Sequence, residues 1–227
     1  MNPELLNKIH QTDCLPFMQS LPDKCIDLIV TDPPYGIDLD TDFSGMVSRL
    51  GGYKGKLQGN TNDKVANDID FQWQPYWEEI KRIGKKFVIF GGDYFIERDV
   101  FITGSMSIWD KRLTESADKM FGSCYEAIWF YPPQKRSIIR YKWAGIFGME
   151  KELINKRLHP TQKPQELMNI LVRDNSDKDT DIIFDPFAGS GTTLVAAKQL
   201  GRRWLGCEIS EKYCKIAEER LRQEYLF

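Results

Sequence analysis

No apolar run in the chain approaches the roughly 20 residues that a helix needs to cross a bilayer. The start, Met1-Asn2-Pro3-Glu4-Leu5-Leu6-Asn7-Lys8, lacks the apolar core of a secretory leader. The cysteines at 14, 25, 124, 207 and 214 are odd in number, and no two stand as C-x-x-C. Such spacing argues against a disulfide framework and a zinc ribbon, and it predicts reduced thiols in a soluble cytoplasmic protein. With only His10 and His159 to draw on, no histidine-based metal site is expected, and no metal is assigned. An excess of one charge is missing too: 31 basic residues stand against 33 acidic ones, which selects no partner. There is no internal repeat and no low-complexity tract.

A chain of 227 residues suffices for one α/β domain with a sizeable core. Leu6 to Thr12 suggests a short edge strand, after which Asp13 can cap a helix through Phe17 and Met18 to Leu21. Ile26-Asp27-Leu28-Ile29-Val30 reads as a buried parallel strand. Trp73 to Ile83 has helical spacing, with Trp73, Trp77, Ile80 and Ile83 on one side. Further strands are expected at Phe87–Phe90, Met106–Trp109, Tyr125–Phe130, Asp181–Phe184 and Arg203–Cys207. Helices should begin at Pro164, a residue tolerated in a first turn, at about Gly191, and after a capping Ser210. From Gly36 to about Asp70 periodicity is lost in favour of Gly, Asp, Asn and Thr, which predicts a long mobile loop.

The stretch Thr31-Asp32-Pro33-Pro34-Tyr35 follows the first buried strand. Two prolines stop the strand and remove two donors, so the chain leaves the sheet in a stiff, extended loop. One carboxylate (Asp32), one bare carbonyl (Pro33) and one aromatic face (Tyr35) are thereby fixed around a small volume. Two acceptors beside an aromatic platform suit a planar group carrying an exocyclic NH2. The plain alternative is a strand-ending turn with a solvated Asp.

Asp185-Pro186-Phe187-Ala188-Gly189-Ser190-Gly191-Thr192-Thr193 lies at a strand-to-helix turn, where glycines permit close approach of a ligand. It has G-x-G without the third glycine of a dinucleotide fingerprint, and no G-K-[ST] follows. Glu208 ends the next strand, where a carboxylate accepts from ribose hydroxyls. A glycine turn with a ribose carboxylate and no phosphate cradle points to a nucleoside cofactor without phosphates.

With these motifs the chain resembles the S-adenosylmethionine-dependent DNA amino methyltransferases, which methylate the exocyclic amine of adenine or cytosine. The resemblance rests on Asp32-Pro33-Pro34-Tyr35, on Asp185 to Thr192, and on His159-Pro160-Thr161-Gln162-Lys163-Pro164. The order of the motifs, catalytic tetrapeptide first and cofactor turn last, is that of the β group. It implies a doubly wound, mostly parallel, Rossmann-like α/β sheet in circularly permuted arrangement, over one methyltransferase domain spanning residues 1–227. It further implies that Asp32, Pro33, Pro34 and Tyr35 are catalytic. Glu208 would hold the ribose, Asp13 would lie near the adenine, and Gly189 and Gly191 would allow close approach. Asp185 would sit near the methionine amino group, Lys163 and Thr161 at its carboxylate, and Phe187 and Thr192 would complete the cofactor site. Adenine N6 is favoured because Asp opens the tetrapeptide. The alternatives are cytosine N4, an RNA or protein-amide acceptor, and an inactive nucleic-acid-binding relative.

Charge is unevenly placed: Ala127 to Lys163 holds eight Lys/Arg against two Glu. Within it Lys135, Arg136, Arg140 and Lys142 alternate with aromatics, which suits phosphate contacts and stacking. The segment 131–158 also falls where the family places target recognition, so duplex DNA is the expected partner, with a homodimer left open. The strands ending at Thr31 and Phe184 should be parallel neighbours, with Asp32 and Asp185 on a shared crevice.

Overall fold

The computed structural model describes residues 1–36, 71–98, 103–112, 123–141, 162–177 and 179–223. Among them are eight strands: β1 (Lys8–Gln11), β2 (Ile26–Thr31), β3 (Gly84–Phe90), β4 (Ser105–Asp110), β5 (Tyr125–Tyr131), β6 (Ile138–Arg140), β7 (Ile182–Asp185) and β8 (Arg203–Glu208). They form one sheet in the order β1-β8-β7-β2-β3-β5-β4-β6. Adjacent strands run parallel except at β3–β5 and β5–β4, so β5 alone among them is reversed.

Helices cover both faces because the central strands are apolar on both. Phe87 and Ile89 of β3 join one core with Met18 of α1 (Cys14–Gln19) and Trp73, Trp77 and Ile80 of α2 (Trp73–Ile83). Val88 and Phe90 join the other, with Leu167 and Leu171 of α3 (Gln165–Asn175) and Leu194 and Val195 of α4 (Thr192–Gln199). The last helix, α5 (Glu211–Arg222), buries Tyr213, Cys214, Ala217 and Leu221. The result is an α/β fold of the Rossmann-like methyltransferase type. All five cysteines are free, and no helix among the described residues is long and apolar enough to cross a membrane.

Three local expectations change. The stretch after Tyr131-Pro132-Pro133, where the sequence suggests no strand, contains β6, which pairs with β4 from Ile108↔Ile138 to Asp110↔Arg140. Three residues are too few for a periodic signal, and their partner is the open edge of a distant strand. Pro164 is the N-cap, extended at φ −60° and ψ 135°, and the helix starts one residue later. Ser210 flanks α5 without a side-chain cap; its N–H instead donates to Glu208 Oε1 at 2.7 Å. The expected mobile loop beyond Gly36 lies outside the described residues, as do Lys142, Thr161 and the rest of 142–161.

Candidate active site at the carboxyl ends of the strands

Because β1, β8, β7 and β2 are parallel neighbours, their carboxyl ends share one edge, the place where open α/β sheets bind ligands. A single pocket there is lined by Asp13, Asp32, Pro33, Pro34, Tyr35, Lys163, Asp185, Phe187, Gly189, Thr192 and Glu208. Leu28↔Ile183 and Ile29↔Phe184 place the ends of β2 and β7 side by side. Thr31 Oγ1 donates to Asp185 Oδ1 at 2.8 Å and ties the two ends together. Asp32 and Asp185 therefore face a common crevice.

Asp185 receives three donors. Besides Thr31, its carboxylate accepts from Phe187 N at 3.1 Å and Thr193 Oγ1 at 2.7 Å. Burial raises its pKa to about 6, against the pull of those hydrogen bonds. Glu208 accepts from Gly189 N at 2.8 Å and Ser210 N at 2.7 Å and lines the pocket. Burial pushes the Glu208 carboxyl up, and the backbone N–H groups of Ser210, Gly189 and Ile209 oppose it. Asp13 caps α1 through Leu15 N at 2.9 Å, yet still lines the pocket.

The glycine turn uses its N–H groups internally: Ala188 N donates to Cys207 O, Gly189 N to Glu208, and Gly191 N to Ala188 O. Gly191 is not among the lining residues. Its φ of +78° and the 2.8 Å that would separate an added Cβ from Ala217 Cβ make it the point where α4 closes on α5. Arg220 of α5 grips the same turn, donating to Ser190 O at 2.6 Å and to Thr192 Oγ1 and Ser190 Oγ at 3.1 Å each. Its other amino group donates to Gln165 Oε1 at 3.0 Å.

Asp32 is the centre of a charged chain. Tyr35 OH donates to Asp32 Oδ1, and Lys163 Nζ donates to Oδ2. Lys163 Nζ also lies 3.4 Å from Glu126 Oε2, and Lys111 Nζ donates to Glu126 Oε1 at 2.9 Å. Burial raises the Asp32 carboxyl, Lys163 counters this, and Glu126 adds to the rise. Burial disfavours the Lys163 ammonium, but Asp32 and Glu126 outweigh it and its pKa is raised. The tetrapeptide's Tyr35 stacks on Tyr94 with ring centroids 4.5 Å apart and planes at 10°.

Lys135, Arg136 and Arg140 are exposed on and before β6, and they do not line the pocket. Phe71, Tyr76, Ile209, Tyr94, Glu126 and Lys111 were not singled out from the sequence. Phe71, Tyr76 and Phe187 form an apolar wall, with Phe71–Phe187 centroids 5.7 Å apart and Tyr76–Phe187 5.6 Å. No local signal marks Phe71 or Tyr76, which come from a distant element. Ile209 directly follows Glu208 and could have been found by adjacency. Glu126, a lone acid near the head of an apolar strand, carried a signal of its own.

The donor set selects a ligand class. Asp13, Asp32, Asp185 and Glu208 surround the pocket with Lys163 as the basic residue in its lining. Those carboxylates and the internally bonded turn disfavour phosphate and suit a cationic ligand with hydroxyls and an aromatic ring. The fold is of the Rossmann-like methyltransferase type, and the pocket lies at the carboxyl ends of its parallel strands.

Residues 125–219 match the family model described as DNA methylase. The type II methyltransferase M.HinfI of Haemophilus influenzae is 28% identical over 261 residues, covering 97% of this chain and 69% of that protein. M2.DpnII of Streptococcus pneumoniae, also a type II methyltransferase, is 27% identical over 246 residues, covering 94% and 88%. TTHA0409 of Thermus thermophilus, solved in complex with S-adenosyl-L-methionine, superposes with a TM-score of 0.56 at 23% identity, covering 94% and 92%. PvuII DNA methyltransferase, cytosine-N4-specific, superposes at 0.63 with 16% identity, covering 96% and 87%. At these identities the likeness to the solved structures is one of fold. Over nearly its whole length the chain is thus similar to type II DNA methyltransferases, and its residues 125–219 carry the DNA methylase pattern.

Proposed function

We propose that this protein moves a methyl group from S-adenosylmethionine to the exocyclic amine of a base in DNA, with adenine N6 as the acceptor. The observation that carries this reading is the shared pocket of Asp32 and the glycine turn, on the adjacent ends of β2 and β7. The cofactor supplies an electrophilic methyl on a sulfonium sulfur. Glu208 holds the ribose hydroxyls, Phe71, Tyr76 and Phe187 flank the adenine, and the acidic lining favours the cationic centre. Asp13 takes the adenine edge, and Asp185 lies near the methionine amino group while keeping the turn in shape. Thr161 is assigned to the cofactor's carboxylate end; the resemblance puts Lys163 there too, but its ammonium is bonded to Asp32, beside Glu126.

Asp32 and the Pro33 carbonyl accept the two amine hydrogens, which pulls the nitrogen toward tetrahedral geometry and frees its lone pair. As the N–C bond forms, the methyl's bond to sulfur breaks with its electron pair going to sulfur. The Asp32 carboxylate offsets the positive charge growing on nitrogen, whose extra proton then leaves to solvent. Reaching the base in a duplex requires flipping it out at a cost of a few kcal/mol, with Tyr35 as the stacking platform. Lys135, Arg136, Arg140 and Lys142 contact the phosphates. The choice of adenine rests on Asp32 opening the tetrapeptide.

Labelled methyl transfer to duplex DNA, RNA and protein in parallel, followed by nucleoside chromatography, tests the reading. N6-methyladenine is the expected product. The D32A variant should lose transfer while its cofactor affinity by calorimetry stays close to wild type. Near-normal turnover in D32A would defeat the mechanism, and label in N4-methylcytosine would move the acceptor.

A further inference from the structure

In the methyl-transfer reading the acceptor amine binds Asp32, whose Oδ2 is held by Lys163. Both oxygens of Asp32 are engaged, Oδ1 by Tyr35 and Oδ2 by Lys163. A cation bound to that carboxylate also opposes the positive charge that develops on the amine nitrogen. Lys163 must therefore leave Oδ2, yet with its side chain only 11% exposed little solvent can receive it. A buried ammonium without a partner is strongly disfavoured.

Glu126 is placed to receive it. Because β5 runs against β3, its first residues come to the edge at which Asp32 leaves β2. Lys111, just past the end of β4, fixes Glu126 Oε1 at 2.9 Å. Oε2 is buried, has no hydrogen-bond partner among the described residues, and stands 3.4 Å from Lys163 Nζ. A buried carboxylate oxygen left open beside a lysine bonded elsewhere calls for an explanation.

We propose that Glu126 is a positioning residue that receives the Lys163 ammonium when the acceptor amine takes Asp32 Oδ2, so that Lys163 alternates between two carboxylates. The proposal rests on the methyl-transfer reading. No covalent bond changes in the move and no proton is transferred. The charged and titratable groups around Asp32 are Lys163, Glu126 and Tyr35, with Asp185 on the neighbouring strand. Burial acts to raise Glu126, but Lys163 and Lys111 outweigh it and hold the carboxyl below its usual range. Glu126 thus stays ionised and able to accept.

Two variants separate a seat from a mere nearby charge. E126Q removes the charge, and E126D keeps it but ends one methylene farther from Lys163. Single-turnover methyl transfer should fall on the order of tenfold to a hundredfold in both, with cofactor affinity within about threefold of wild type. In protein without cofactor or DNA, the 13C carboxyl titration of Asp32, assigned by its loss in D32N, should move to lower pH in E126Q and stay near wild type in E126D. A wild-type rate in either variant, or a rate loss matched by an equal loss of cofactor affinity, overturns the proposal. If wild-type protein transfers no methyl to DNA, the proposed function fails on its own. The titration then still decides whether Glu126 acts on the Asp32–Lys163 pair, and an unmoved midpoint in E126Q rejects it.

Discussion

Asp185 lines the pocket and also serves as joinery. Its carboxylate binds Thr31, Phe187 and Thr193 and clamps β2, the glycine turn and α4 together. Its folded pKa of about 6 lies above the ordinary 3.8, so the folded state holds the proton more tightly. Its contribution to stability is complete below pH 3.8 and is lost as pH rises through about 6. Denaturant titrations of wild type and D185N at acid and neutral pH check this. D185N, which keeps an acceptor for Thr31, should gain up to roughly 3 kcal/mol relative to wild type between the two conditions. A relative loss would reverse the sign and reject the account. Glu208 lines the same pocket at the end of β8. Glu208→Ala should weaken S-adenosylmethionine binding by roughly 1.5–3 kcal/mol, the worth of hydrogen bonds to a charged group. Unchanged affinity by calorimetry would place the ribose elsewhere.

At the scale of elements, the cofactor turn is held from outside as well as within. Arg220 reaches from α5 to Ser190 and Thr192 at the head of α4 and to Gln165 at the head of α3. Three helices thus meet on one guanidinium, which presents several donors in a fixed fork. Arg220→Met keeps the stem and removes the fork. Thermal unfolding should drop by several degrees, since about 2 kcal/mol is worth roughly 4–8 °C in a chain of this size. Cofactor affinity should fall with it. A lowered Tm with unchanged affinity would make Arg220 a packing residue that leaves the turn indifferent. The edge strand β6 belongs to this scale too. Ile108 N donates to Ser137 O at 3.0 Å and Tyr141 N to Asp110 O at 3.3 Å, so the basic segment is stitched to the sheet. Arg140 also helps hold the Asp110 carboxyl down at about 2, after the larger pull of Arg112.

Across the whole molecule, charge is separated. The pocket end of β1, β8, β7 and β2 is acidic, while Lys135, Arg136 and Arg140 stand exposed toward the opposite edge of the sheet at β6. A polyanion would be drawn to one side and repelled by the other, which orients it before any base is read. Neutralising Lys135, Arg136, Arg140 and Lys142 together should weaken duplex binding and flatten its salt dependence. The log–log slope should shrink by about 0.9 for each phosphate that the variant no longer neutralises. A slope equal to wild type would place the DNA elsewhere.

Local patterns were enough for much of this. Buried runs at β2, β3, β5, β7 and β8 are apolar on both faces, and that forces a sheet covered by helices. Trp73, Trp77, Ile80 and Ile83 declared α2 by spacing alone, and all are buried. The prolines after β2 and the glycines after β7 marked where the chain leaves the sheet, because each acts on its own backbone. Partnership across the sheet was beyond the sequence. Nothing near β6 names β4 as its neighbour, and nothing near Glu126 says that a reversed strand will carry it to Asp32 and Lys163. Strand direction and order are settled by which faces can be buried together, a property of the assembled sheet rather than of any window of residues. The motifs were therefore legible one by one, while the charged chain from Tyr35 through Asp32, Lys163 and Glu126 to Lys111 exists only once distant strands have been brought to one edge.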